Sequence, residues 1–253
     1  MSSTVLYDTI GSGYSARRQP DPRIAAQILA ALGSARSVLN IGAGAGSYEP
    51  ENRTTAAVEP SAVMIKQRPP GAAPAVRARA EFLPFKDQTF DAALAVLTLH
   101  HWSDVSRGLA ECARVARERV VLLTFDPSTC RFWLMQDYFP EFLEEDRRRF
   151  PPLESYASLF GREVRLEVQT VPVPRDCADG FLGAYWARPA AYLDAGIRSG
   201  ISSFAHPGVE RGVEFLAADL ASGAWHERYA HLLRRDALDL GYRIVTAHLA
   251  PAA

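Results

Sequence analysis

The stretch Val38-Leu39-Asn40-Ile41-Gly42-Ala43-Gly44-Ala45-Gly46 decides the fold. Its first half is an apolar run that has the pattern of a short buried strand. Its second half places glycine at every other position. Glycine lets a chain turn sharply after a strand and lets the backbone approach a ligand closely. The stretch therefore predicts a strand that ends in a ligand-binding loop.

Strand and helix patterns alternate on both sides of this loop. Asp21 and Pro22 predict the start of a helix, and Gly33 predicts its end. Beyond the loop, apolar runs predict strands over 56–59, 91–97 and 119–125, with an amphipathic helix over 103–117. Such alternation is typical of an α/β fold with a doubly wound, mainly parallel sheet.

The second half of the chain has a different organisation. Helical patterns cover 132–150 and 153–160, and strands are expected over 164–173 and 242–249. The residues between these two strands are too many for a simple connection. We therefore expect a sheet domain of residues 1–173 plus 242–253, with residues 174–241 inserted as a helical cap.

Composition excludes several functional classes. The 253 residues carry 28 basic and 29 acidic side chains, so neither nucleic acid nor an anionic membrane is an expected partner. The N-terminus has no apolar core typical of a signal peptide, and no apolar run is long enough to span a membrane. Cys112, Cys130 and Cys177 lie far apart without a CxxC motif, so no metal site is expected. A cytoplasmic location follows as the expectation.

An acidic residue ends the strand that follows the loop. Glu59 lies where a bound ribose presents two hydroxyl groups, and one carboxylate can accept hydrogen bonds from both. A dinucleotide fingerprint would place a third glycine at position 47, where this chain has Ser47. A nicotinamide-dependent oxidoreductase is therefore a weaker alternative.

Four ordered motifs resemble one enzyme family. They occupy residues 40–46, 58–61, 80–85 with 90–91, and 99–104. In this order they resemble the class I S-adenosylmethionine-dependent methyltransferases, specifically the small-molecule group that includes the ubiquinone and trans-aconitate methyltransferases. The resemblance covers about residues 5 to 125. It implies a Rossmann-like sheet, S-adenosylmethionine as cofactor, and methyl transfer to O, N or C of a small molecule.

The resemblance also implies which residues bind the cofactor. The glycine loop would pass under its amino-acid and ribose parts, Glu59 would hold the ribose hydroxyls, and Met64 would lie near the adenine. Residues of the N-terminal segment would close over it. The implied set is Tyr14, Arg18, Asn40, Gly42, Ala43, Gly44, Gly46, Glu59, Pro60, Ser61, Met64, Ala80, Glu81, Leu97 and Thr98.

Three positions depart from the family's pattern. Asn40 and Arg79 stand where the family usually has acids, which puts a charge-paired contact at each position in doubt. The connection from Gly46 to Ala56 is short and contains Pro50, so the first helix is expected to be a single turn or irregular.

Two histidines follow the fourth strand, where ligands bind in open parallel sheets. His101, or His100 beside it, would act as a general base, or both would only shape the pocket. Alignment of the reactants can itself supply much of the rate. Aromatic residues then suggest a wall for a small apolar or aromatic acceptor, namely Trp102, Trp133, Tyr138, Tyr185 and Trp186. A non-catalytic S-adenosylmethionine-binding module or sensor is the alternative from another functional class.

Overall fold

A seven-stranded sheet forms the centre of the molecule. The structure is a computed structural model, and it describes residues 18–50 and 52–250. The sheet strands are β1 Val38–Ile41, β2 Thr54–Val58, β3 Ala75–Val76, β4 Phe90–Val96, β5 Ala116–Phe125, β6 Val164–Thr170 and β9 Tyr242–Leu249. Two further short strands, β7 Val173–Pro174 and β8 Ala237–Leu238, lie outside this sheet. Their order across the sheet is β3-β2-β1-β4-β5-β9-β6.

The strand order reverses beside β1. This strand pairs in parallel with β2 on one side and with β4 on the other, so the chain winds outward in both directions. β9 runs antiparallel to both of its neighbours, β5 and β6. The carboxyl ends of β1, β2 and β4 therefore meet at one edge, which is the position where open α/β sheets bind ligands. The predicted doubly wound, mainly parallel sheet is confirmed.

Helices cover the sheet. They are α1 Pro22–Leu32, α2 Ala62–Lys66, α3 Val105–Val115, α4 Pro140–Arg149, α5 Tyr156–Leu159, α6 Ala195–Arg198, α7 Val209–Ser222 and α8 Ala224–Tyr229. In α1 the side chain of Asp21 caps the first turn by accepting from the Arg23 N–H. Ile24, Ile28 and Leu32 form the buried face of this helix. The predicted start and end of α1 are confirmed.

The predicted helix over 132–150 is interrupted. Leu134–Tyr138 forms one short π-helix, and α4 begins separately at Pro140. Proline has no N–H to donate and its ring clashes with the preceding turn, so one continuous helix is incompatible with Pro140. The apolar periodicity predicted the buried residues correctly, but it predicted one continuous helix where the structure has two separate helices.

Short helices fill the segment between β6 and β9. Where this segment leaves and rejoins the sheet, β7 and β8 pair antiparallel. Trp186, Tyr192 and Trp225 are fully buried there and belong to the same apolar cluster as the sheet strands. The division into a sheet domain and a cap at residues 174 and 241 stays a prediction. Across the described ranges, the helices lack the combination of length and apolar character that a membrane crossing requires.

Candidate functional site

A cavity of about 550 Å³ opens at the carboxyl edge of the sheet. Its wall comes from the loop after β1, the end of β2 with the start of α2, residues 78–81, and the segment after β4. Tyr14 lies outside the described residues. The other predicted cofactor residues all line the cavity: Arg18, Asn40, Gly42, Ala43, Gly44, Gly46, Glu59, Pro60, Ser61, Met64, Ala80, Glu81, Leu97 and Thr98.

The glycine loop is held between two neighbouring strands. The N–H groups of Gly42 and Ala43 both donate to the Val58 carbonyl, at 2.8 and 3.0 Å. Gly42 has φ +66°, and a β-carbon there would lie 2.2 Å from Oγ1 of Thr98. A side chain at position 42 would therefore need both a strained backbone and a displaced Thr98. Glycine keeps the loop close enough to line the cavity floor.

Glu59 joins the glycine loop to the start of α2. Its Oε2 accepts from the Gly44 N–H at 2.9 Å, and its Oε1 accepts from the Ser61 N–H at 2.8 Å. The side chain is buried at the cavity wall. A carboxylate has about four acceptor positions, so a group held in this way can also bind ligand hydroxyls.

Asn40 faces another carboxylate. Its Nδ2 donates to Oε2 of Glu49 at 3.1 Å, and Glu49 pairs with Arg68 at 2.8 Å in a largely buried ion pair. An aspartate at position 40 would put a second carboxylate against Glu49. The amide thus explains the departure from an acid at this position, because it donates where an acid would repel.

Arg79 and Glu81 act on the loop before α3. Glu81 Oε1 accepts from the Ser103 N–H at 2.6 Å and its hydroxyl at 2.7 Å, while Arg79 Nε lies 3.6 Å from Glu81 Oε2. Burial raises the pKa of Glu81, but the hydrogen bonds from Ser103 and Asp104 outweigh it and lower the pKa. The Glu81 side chain therefore holds the loop that carries Trp102.

Arg18 lies on the cavity wall but already has a carboxylate partner. Its Nε is 2.7 Å from Oδ1 of Asp179, and its Nη2 is 3.3 Å from Oδ2. The Asp179 side chain is fully buried. The Arg18 guanidinium therefore lies on the cavity wall in an ion pair with a buried carboxylate.

A second, smaller cavity of about 100 Å³ adjoins the first. Arg18 and Leu97 line both cavities. The walls of the second include Phe125 and Asp146. These residues were not predicted as site residues, because they come from segments far apart in the sequence and share no motif.

The two histidines fall on different cavities. They share the single 3₁₀ turn Leu99–His101 with ring centroids 3.7 Å apart, yet His101 lines the large cavity and His100 the small one. Burial, followed by the charges of Arg149 and Arg18, lowers the pKa of His101 to about 3. Burial, then His101 and the same arginines, lowers the pKa of His100 well below its usual range. Both rings are therefore neutral at pH 7 and weak as general bases.

Comparison with known proteins adds independent evidence. The methyltransferase domain model matches residues 39–124. A candidate methyltransferase from an antibiotic biosynthesis pathway of Anabaena variabilis is 36% identical, with 92% of this chain and 99% of that chain covered at a TM-score of 0.84. The chain belongs to the class I S-adenosylmethionine-dependent methyltransferases.

More distant structures share the fold alone. The YcgJ protein of Bacillus subtilis is 18% identical to this methyltransferase, covering 91% of this chain and 99% of that chain at a TM-score of 0.58. Geranyl diphosphate C-methyltransferase from Streptomyces coelicolor, solved with S-adenosyl-L-homocysteine, is 13% identical over 90% of this chain and 78% of its own at a TM-score of 0.53. No curated protein sequence matches the methyltransferase.

The large cavity fits S-adenosylmethionine, the cofactor of this methyltransferase. Its volume is within the range of small-ligand sites. The carboxylate of Glu59 lies on the cavity wall, and the terminal methyl carbon of Met64 lies 3.4 Å from where a β-carbon on Gly44 would be. Among residues 18–50 and 52–250, no three His, Cys, Asp or Glu side chains come together as a metal site would require.

Four of the five predicted substrate residues lie elsewhere. Trp102 lines the large cavity, but Trp133, Tyr138, Tyr185 and Trp186 line neither cavity. The indole N–H of Trp133 donates to the Trp186 carbonyl, and that of Trp186 donates to the Val173 carbonyl. Both tryptophans are fully buried in the core. Trp133 and Trp186 are therefore core residues and do not line the cavities, since a fully buried ring has no surface to offer a substrate.

Proposed function

We propose that the methyltransferase transfers the methyl group of S-adenosylmethionine to O, N or C of a small apolar or aromatic molecule. The observation that carries the proposal is the second cavity. It adjoins the cofactor cavity at Leu97, and aromatic and aliphatic side chains share its wall with polar and charged ones. Apolar side chains combined with convergent polar groups are typical of small-molecule sites.

Different residues of the site would bind different parts of the cofactor. Glu59 would receive the ribose hydroxyls, and the glycine loop would lie under the rest of the cofactor. The cofactor supplies an activated methyl group on a positively charged sulfur. Leu97 and the two histidines would orient the acceptor, so that the displacement is in line and water is excluded. Since both imidazoles are weak bases, orientation rather than proton removal by histidine would supply the rate.

A calorimetric titration of Glu59→Gln tests the cofactor site. Glutamine keeps the shape of the side chain but loses a charged acceptor for the ribose hydroxyls, and one of its two terminal atoms becomes a donor. We expect S-adenosylhomocysteine to bind the variant at least about tenfold more weakly than the unchanged protein, as the loss of one or two charge-assisted hydrogen bonds implies.

Glu163→Gln, an exposed residue before β6, is the matched control and should bind as the unchanged protein does. Unchanged affinity in Glu59→Gln would contradict the site. Heat from NADH comparable to that from S-adenosylhomocysteine would instead favour a dinucleotide. A panel of small aromatic and aliphatic acceptors, followed by mass spectrometry for a gain of one methyl group, then tests the substrate class.

A further inference from the structure

The two cavities adjoin each other, because Arg18 and Leu97 line both. Leu97 directly follows β4 and has φ +48°, a left-handed conformation that residues other than glycine rarely adopt. Its N–H donates to the Leu123 carbonyl of β5 at 2.8 Å, which holds the turn in place. A molecule in the second cavity therefore lies beside Leu97, at the boundary with the cofactor cavity.

Aromatic rings form much of the wall of the second cavity. Phe125 lies 5.8 Å from Phe150 and 5.4 Å from Tyr242 between ring centroids, and Phe181 lies 4.8 Å from Tyr242. The rings meet at steep or tilted angles and leave a volume of about 100 Å³. Edge-to-face packing of this kind favours a flat aromatic ring as the occupant.

One buried polar atom on this wall lacks a partner, and a carboxyl group shares the wall with it. His100 Nδ1 is buried and has no hydrogen-bond partner among the described residues. Asp146 also lines the cavity, and Arg149 beside it pairs with Glu145 at 2.7 Å instead. Burial raises the pKa of Asp146 to about 7. A buried polar group without a partner is costly, so such groups mark a site where a ligand completes the hydrogen bonding.

The charges around the cavity select a neutral ligand. Arg18 and Arg149 line it, so a cationic ligand would lie between two guanidinium groups. An anionic ligand would have to lie beside the Asp146 carboxyl. A hydroxyl group both donates and accepts, so it satisfies His100 in either neutral tautomer and can also donate to Asp146.

We propose that the second cavity is the methyl-acceptor pocket and takes a single aromatic ring whose hydroxyl group bonds to His100 and Asp146. This assignment rests on the proposed function. The phenolic oxygen forms a bond to the methyl carbon as the methyl–sulfur bond breaks, and the electron pair of that bond stays on sulfur. The phenolic proton passes to the Asp146 carboxylate and from there to solvent, while His100 positions the hydroxyl.

Fluorine NMR titration of the purified protein tests this pocket without relying on turnover. The probes are 4-fluorophenol and 4-fluorotoluene, which differ only in a hydroxyl replaced by a methyl group of similar size. Each is titrated with and without saturating S-adenosylhomocysteine. We expect 4-fluorophenol to bind at least about tenfold more tightly, because the methyl group leaves His100 and Asp146 unpaired.

Two variants should remove this preference. Asp146→Asn and His100→Leu should each weaken 4-fluorophenol binding about five- to tenfold and leave 4-fluorotoluene nearly unchanged. Glu144→Gln is the matched control, since Glu144 is an exposed residue on the same helix as Asp146 and should change neither affinity. Titration of each variant with S-adenosylhomocysteine verifies that it is folded.

The outcomes separate this assignment from the proposed function. Equal binding of both probes, tighter binding of 4-fluorobenzylamine, or no binding of any probe to protein that binds S-adenosylhomocysteine would overturn the pocket alone. Failure of S-adenosylhomocysteine to bind the unchanged protein would overturn the proposed function and this assignment with it. Loss of 4-fluorophenol preference in both variants would support the pocket.

Discussion

At the residue scale, Gly42 has less room for a side chain than Gly44 or Gly46. A β-carbon would lie 2.2 Å from Thr98 at position 42, against 3.4 Å or more from any neighbour at the other two. Gly42→Ala should lower the free energy of unfolding by more than about 2 kcal/mol, from backbone strain together with the clash. It should also abolish binding of S-adenosylhomocysteine. Urea unfolding and calorimetry measure the two effects.

The variant Gly71→Ala separates the cost of a left-handed backbone from the cost of the clash with Thr98. Gly71 has φ +88° and nothing within 4 Å of a would-be β-carbon, so only the cost of the left-handed backbone, about 1 kcal/mol, is expected. Binding of S-adenosylhomocysteine should be unchanged. If Gly42→Ala and Gly71→Ala lowered the free energy of unfolding equally, Thr98 would not restrict the glycine loop.

Asp146 makes stability depend on pH. Burial raises the pKa of its carboxyl to about 7, opposed by Arg149 and reinforced by Glu145, whereas an unfolded aspartate titrates near 3.9. Between about pH 4 and 7 the native state keeps a proton that the unfolded chain releases, so this residue lowers the free energy of unfolding as the pH rises. The variant Asp146→Asn should remove this decrease in the free energy of unfolding with rising pH.

Urea unfolding at about pH 4.5 and about pH 7.5 measures the effect. The gain in stability of Asp146→Asn over the unchanged protein should be larger at the higher pH, because the charged carboxylate is the form that burial disfavours. A gain that is the same at both pH values would mean that the Asp146 carboxyl titrates normally in the folded protein.

At the scale of elements, Asp21 ties the start of α1 to the second half of the chain. Its carboxylate caps α1 through the Arg23 N–H and also accepts from the Ala178 N–H at 3.0 Å. Burial raises the pKa of Asp21, but the hydrogen bonds from Arg23 and Ala178 outweigh it and lower the pKa to about 2. Its stabilising contribution is therefore present above about pH 4 and is lost as the pH falls towards 2.

Asp21→Ala should lower the free energy of unfolding at pH 7 by about 2–4 kcal/mol, since both a helix cap and a partly buried N–H lose their acceptor. Asp104→Ala is the comparison, because Asp104 caps α3 through the Arg107 N–H but is exposed. There the loss should be about 1 kcal/mol. If urea unfolding gave equal losses of stability for Asp21→Ala and Asp104→Ala, Asp21 would act only as a helix cap.

Elements differ in how well the sequence predicts them. Strands β1 and β4 are predicted to within one residue, because a strand buried on both faces requires a continuous apolar run. Strand β2 begins at Thr54, two residues before its predicted start, because its first residues are polar. The segment from Phe132 to Phe150 is not predicted as closely, because helical periodicity reports burial and is the same on either side of a break.

At the scale of the whole molecule, one apolar core runs from the sheet into the inserted segment. Trp133, which follows β5, packs against Trp225 of α8 with ring centroids 5.2 Å apart. Both belong to the buried cluster that also contains the sheet strands. The sheet and the inserted segment should therefore unfold together.

Urea unfolding of Trp102→Phe tests this expectation. The variant leaves Trp133, Trp186 and Trp225 as fluorescent probes, all fully buried. Their fluorescence and the far-UV circular dichroism should change over the same range of urea concentration. A fluorescence transition at clearly lower urea would show that the inserted segment unfolds independently.

The sequence by itself determined the sheet, the glycine loop, the place of Glu59 and the family. These features are local, because a few adjacent residues determine each strand, each turn and the acidic residue at a strand end. Only the tertiary structure decided that Asn40 faces Glu49, that Trp133 and Trp186 belong to the core, and that His100 and Asp146 share a cavity. An apolar pattern states that a side chain is buried, whereas the fold decides which distant side chains it is buried against.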